Sequence, residues 1–154
     1  MGVYTSTPPP AQPAGACRAR GLLPDPACTP GATNPAVSQS DIDTTICMSG
    51  WTAQVRPPES YTETLKREQL LAYGDTSPIS AYEEDHLVPL ELGGAPSDPR
   101  NLWPEHGSSP NPKDSVENAG RAAVCDGRIS LAAAQRAIAG NWVAFGSQLG
   151  VAGS

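Results

Sequence analysis

The stretch that decides the fold is Asp85-His86-Leu87-Val88-Pro89-Leu90, followed by Gly93-Gly94 and, seven residues further on, by Asn101-Leu102-Trp103. Ala81 to Leu90 reads as a strand that runs into an irregular turn at Pro89, and Asn101 to Trp103 as a second short strand ended by Pro104. Between them Gly93-Gly94-Ala95-Pro96-Ser97-Asp98-Pro99 is loop chemistry. Neighbouring residues of a regular strand point to opposite faces, so Asp85 and His86 can serve one site only where the strand is ending or distorted. Glu83 and Glu84 place two more carboxylates just before Asp85, and such a run needs a cation or an arginine among it. Pairing with Arg56 or Arg100 is the plain expectation; Glu84 as a metal ligand is the other.

Outward from this core, Ser60-Tyr61-Thr62-Glu63 fits a capping box that launches a helix over 61–73, with Leu65, Leu70 and Tyr73 inward, Lys66, Arg67 and Glu68 toward water, and Gly74 as the stop. Ile42, Thr44, Thr45, Ile46 and Cys47 form the first β-favouring cluster. Asn111-Pro112 reads as an N-cap with proline at the first helical position, opening a helix to about Val124. A last helix starts after Ser130, with Leu131, Ala134, Ile138 and Trp142 on one face. The reading is an α+β fold, with Trp51, Trp103 and Trp142 as core anchors.

At 154 residues the chain has room for one domain. Residues 1–35, with Pro8-Pro9-Pro10, Pro13, Pro24, Pro26, Pro30 and Pro35, read as a flexible tail or linker, or alternatively as a strap pinned by Cys28; 36–150 form the domain. Four cysteines without a C-x-x-C pair argue against a zinc knuckle. Two disulfides are the simplest use, Cys17 with Cys28 and Cys47 with Cys125; the alternative is four reduced thiols. Bridged cysteines imply work outside the cytoplasm, in a secreted or cell-envelope protein. The start Met1-Gly2-Val3-Tyr4 has no signal-like region, and no apolar run is long enough to span a membrane. A net charge of -6 opposes strong nucleic-acid binding, because phosphate neutralisation supplies most of that affinity; a divalent cation would offset part of the deficit.

Asp85-His86, the Gly93-Gly94 loop and Asn101, fifteen residues after His86, resemble the core of the HNH, or His-Me finger, endonucleases. The wider pattern is similar to small bacterial HNH-like proteins: Arg56-Pro57-Pro58 to Ser60-Tyr61-Thr62, Asn101-Leu102-Trp103-Pro104 and Lys113-Asp114, over residues 28 to 145. The resemblance implies a ββα-metal fold, His86 as general base, Asp85 as a metal ligand, and Asn101 as the brace that orients His86. The chain departs from the pattern at the third letter, where Pro110 stands near the expected ligand. The candidates are His106, Asn111, Asp114 and Asn118. Asp114, an anionic oxygen in the first helical turn, suits one hard divalent cation such as Mg2+ or Mn2+. Lys113, at a helix start that itself favours anions, and Arg100 are expected on substrate phosphate; Arg121 is more simply solvated surface.

The expected activity is metal-dependent hydrolysis of phosphodiester bonds in DNA, or else in RNA, by a monomer. The alternative is a non-catalytic metal- or nucleic-acid-binding module on the same scaffold, motivated by the acidic charge and the missing third histidine. A third reading is the catalytic part of a toxin or phage product with an unseen partner.

Overall fold

A computed structural model describes residues 12–75, 77–107 and 111–151. The fold is α+β. After a 3-10 turn at Gln39–Thr44 come α1 (Trp51–Val55), α2 (Glu59–Ala72), β1 (Tyr82–His86), β2 (Leu102–His106), α3 (Pro112–Cys125) and α4 (Leu131–Gln148). β1 and β2 pair antiparallel, with Tyr82 opposite His106, Asp85 opposite Trp103 and His86 opposite Leu102. In a two-stranded sheet each strand has an outer edge, so Pro104 needs no ladder hydrogen bond on that side. β2 therefore runs through Pro104 to His106 rather than ending before it.

The two late helices carry the signals expected of them. Asn111 accepts from the Lys113 amide at 2.9 Å with Pro112 at the first position of α3. Ser130 caps α4, whose Leu131, Ala134, Ile138, Trp142 and Phe145 are all buried against Val116 and Val124 of α3 and against Leu92. α4 breaks at Asn141, outside helical φ/ψ, and the Asn141 side chain accepts from the Ala144 amide at 3.0 Å, a second cap inside the helix.

Elsewhere tertiary contacts override local preference. α2 starts at Glu59 directly after Pro58, so Ser60 lies within the first turn and the expected Ser60–Glu63 capping box does not form. Lys66 is buried rather than solvated, because β1 offers the Tyr82 carbonyl to its ammonium at 3.0 Å and Glu63 lies 3.0 Å away. The Ile42–Cys47 cluster is a 3-10 helix and turn, not a strand. It is held to α3 by the Cys47–Cys125 disulfide and by Arg121, whose Nε donates to the Ile46 carbonyl at 2.8 Å. Arg121 is thus a structural tie.

Both expected disulfides, Cys17–Cys28 and Cys47–Cys125, are formed. Residues 12–35 do not hang free: they lie along the domain as a strap, while 1–11, including Pro8-Pro9-Pro10, fall outside the described residues. The strap is held by backbone bonds, Cys17 N to Ala72 O at 2.9 Å, Gly31 N to Arg100 O at 3.0 Å and Asn34 N to Gly93 O at 2.8 Å, and by Trp142 Nε1 on Leu22 O at 3.1 Å. Prolines starve a segment of donors but do not prevent it from packing. Among the described residues no helix is long and apolar enough to cross a membrane.

Candidate active site

The loop from Leu87 to Asn101 is organised by one side chain. Asn101 is fully buried; its Oδ1 accepts from Val88 N at 2.9 Å, and its Nδ2 donates to Val88 O at 2.9 Å and Ala95 O at 3.0 Å. One amide thus ties both limbs of the loop to the base of β2. Gly94 sits inside this clasp, where any Cβ would collide with the Val88 carbonyl, so no other residue fits. The same loop supplies the Pro96 carbonyl, 2.8 Å from Nε2 of His86. A carbonyl can only accept, so Nε2 carries the proton and Nδ1 is left with its lone pair. Burial holds the His86 pKa below its ordinary value, which keeps the ring neutral.

His86 lines a polar cleft of about 210 Å³ together with Asp85, Asp114, Glu117, Glu83 and Arg56. Of the four candidates for the third ligand, Asp114 alone borders this cleft. Asn111 is spent on the α3 cap and on Glu83, to which its Nδ2 donates at 2.7 Å; Asn118 is exposed; His106 is exposed at the end of β2, with its ring edge-on to Tyr82 at 5.2 Å. Asp114 itself accepts from the Asn111 amide at 2.9 Å, which anchors the carboxylate at the start of α3.

The two cations expected on substrate phosphate are elsewhere. Lys113 is fully buried: its Nζ lies 2.6 Å from Glu117, 3.1 Å from Asp85 and 2.9 Å from the His86 carbonyl. It is a charge at the floor of the site, neutralising carboxylates from β1 and α3, and it has no donor left for a phosphate. Arg100 is exposed, gripped by Asp98 at 2.6 Å, and borders a different cavity. The cation that does stand at the cleft is Arg56, exposed at the end of α1 and making no side-chain ion pair or hydrogen bond among the described residues. Neither Arg56 nor Arg100 pairs with Glu83 or Glu84.

Carboxylates outnumber cations here. Burial first, then the neighbouring Asp85, raises the pKa of Glu105 to about 8. Burial also lifts Glu117 to about 7 despite its contact with Lys113, and raises Glu83 and Glu91. Glu84 is pushed well above the usual range by burial and by Asp85, and both its oxygens are buried without a hydrogen-bond partner. Glu117 was open to discovery by its i,i+4 spacing from Lys113. Glu105 was hidden by the belief that Pro104 closes β2. Among the described residues no three His, Cys, Asp or Glu side chains already converge as a metal cage. No family model, curated protein or solved structure matches the chain.

Proposed function

We propose that the protein is a metal-dependent endonuclease of the HNH type, hydrolysing phosphodiester bonds in DNA with His86 as general base. The observation that carries this reading is the His86 Nε2–Pro96 carbonyl bond, which leaves a neutral ring with Nδ1 free to take a proton from water. The order β1, Asn101-braced loop, β2, α3 is consistent with the ββα-metal core of that family.

The donor set suits a hard divalent cation. Asp85 Oδ2 is buried with only the charge contact to Lys113, and Glu83 and Glu117 beside it have their pKa values raised, by burial first and then by the neighbouring Asp85. Asp85 and Asp114 would hold the ion, with Glu117 beside them. When bound, the ion would supply Lewis-acid stabilisation of the phosphate and leaving oxygen. Arg56 takes the phosphate-binding role that the sequence reading assigned to Lys113 and Arg100. The two disulfides fit action outside the cytoplasm.

Nicking of supercoiled plasmid in Mg2+, Mn2+ or EDTA tests the metal requirement: cleavage should stop on chelation and return with added metal. Undiminished cleavage in EDTA would refute it. The second reading, a binding module, is favoured by the Lys113 ammonium already seated on Asp85 and by the absence of a preassembled cage among the described residues. Calorimetry that finds no metal binding, together with no cleavage over a range of metals, would select it.

A further inference from the structure

We propose that the strap, which contributes no residue to the cleft, positions His86, and that Gly31 is the positioning residue within it. The consequence for catalysis rests on the endonuclease reading; the positioning itself does not. Residues 31–34 add an antiparallel edge to the 87–101 loop. Thr33 stands opposite Gly94, Ala95 N donates to Ala32 O at 2.9 Å, Asn34 N to Gly93 O at 2.8 Å, and Gly31 N to Arg100 O at 3.0 Å.

The path from strap to base is short and stiff. Ala95 is held from both sides, its amide by Ala32 O and its carbonyl by the buried Asn101 Nδ2 at 3.0 Å. The next residue is Pro96, whose carbonyl accepts from His86 Nε2 at 2.8 Å. With the peptide planar and the proline φ fixed by its ring, one soft dihedral separates the Ala95 carbonyl from the Pro96 carbonyl. A displaced strap therefore carries the Pro96 oxygen with it. Gly31 governs how closely the strap approaches. Its φ is +97°, and a Cβ there would lie 2.8 Å from the Ala139 Cβ and 3.3 Å from a Val88 methyl. Ala139 belongs to α4 and Val88 to the loop, so a side chain at 31 would wedge the strap away from both.

Gly31→Ala in the full chain, with both disulfides intact, tests this against Gly21→Ala, a strap glycine that also has a positive φ, +62°, but open space where the Cβ would go. The first readout is the ring 1H–15N NMR spectrum of the two histidines, His86 and His106, at one fixed pH. In the unmodified chain and in Gly21→Ala the His86 Nε2–H is expected to resist exchange with water; in Gly31→Ala that signal should be lost. Where the unmodified chain nicks plasmid, Gly31→Ala should lower kcat by about 10- to 100-fold with KM held within about twofold, because the base is displaced and the cleft wall is not. A His86 signal unchanged in Gly31→Ala, or an equal loss in both variants, would overturn the proposal. The expected loss of signal in a chain that cleaves nothing would uphold the positioning and count against the endonuclease reading. Should Gly31→Ala not fold, hydrogen exchange of the unmodified chain decides. The His86 Nε2–H and the Asn34 and Ala95 amides should open together, with protection within about threefold of one another. A ring N–H that opens while the strap stays closed would overturn the proposal.

Discussion

At the scale of the residue, Lys113 is not free for the phosphate that local sequence suggests for it, and Arg56 at the cleft is the cation proposed in its place. Lys113 follows an N-cap, where a basic side chain invites a phosphate partner, but its three acceptors come from β1 and from one turn further along α3. No local pattern reveals the β1 partners. The consequence is measurable. Lys113→Met leaves Asp85 and Glu117 without their counter-charge in a buried site, and should destabilise the fold by about 3–5 kcal/mol, read as a lowered denaturant midpoint. Arg56→Ala should leave that midpoint unchanged, because the side chain is exposed and unpaired among the described residues. It should weaken DNA binding about tenfold and reduce the slope of log K against log salt by about 0.9, the signature of one lost phosphate contact. The brace at Asn101 was expected only from the resemblance to the HNH core, and the structure places its amide on the Val88 and Ala95 backbone. A buried amide between two glycines' loop and a strand start has few uses other than to clasp backbone, and Asn101→Ala should cost about 2–4 kcal/mol by orphaning Val88 and Ala95 groups.

At the scale of the element, α3 and α4 could be read from the chain because cap and periodicity agree there with the tertiary packing. Where they disagree, the long-range partner decides. Ile42 to Cys47 has β-favouring side chains but lies against α3, tied by a disulfide and by Arg121, and cannot extend into a ladder. The strap is the same lesson at greater length: its prolines predict missing donors, and the donors it does have, at Cys17, Gly31 and Asn34, are all used on the domain. The two disulfides divide accordingly. Cys47–Cys125 closes a separation of 78 residues, and its removal by paired alanine substitution should cost about 4.5 kcal/mol, against about 3 kcal/mol for the 11-residue Cys17–Cys28 loop. Urea unfolding of the two double variants checks the order; the reverse order would mean that the strap contributes more than the link from the first turn to α3.

At the scale of the whole molecule, an acidic chain builds an acidic cleft, and its stability should report on the cation proposed for that cleft. Glu105 and Glu117 have folded pKa values of about 8 and about 7, above the ordinary 4.5. The folded state therefore holds protons that the unfolded chain releases between these values. The stability that these two groups contribute is fully present below about pH 4.5 and is lost as pH rises toward 8, the sign expected when the native state binds more protons. In EDTA the melting temperature should fall over that window, and Mg2+ should flatten the fall by stabilising the ionised carboxylates. A melting temperature that rises with pH in EDTA would contradict the burial of these groups.

The central claim is that His86 takes the proton from the attacking water. Its most direct test is the single-turnover nicking rate of His86→Ala in Mg2+, with and without added imidazole. The account predicts a loss of about 10²–10⁴-fold, the usual worth of a general base, partly restored by imidazole entering the vacated space. Cleavage by His86→Ala at the unmodified rate would contradict it.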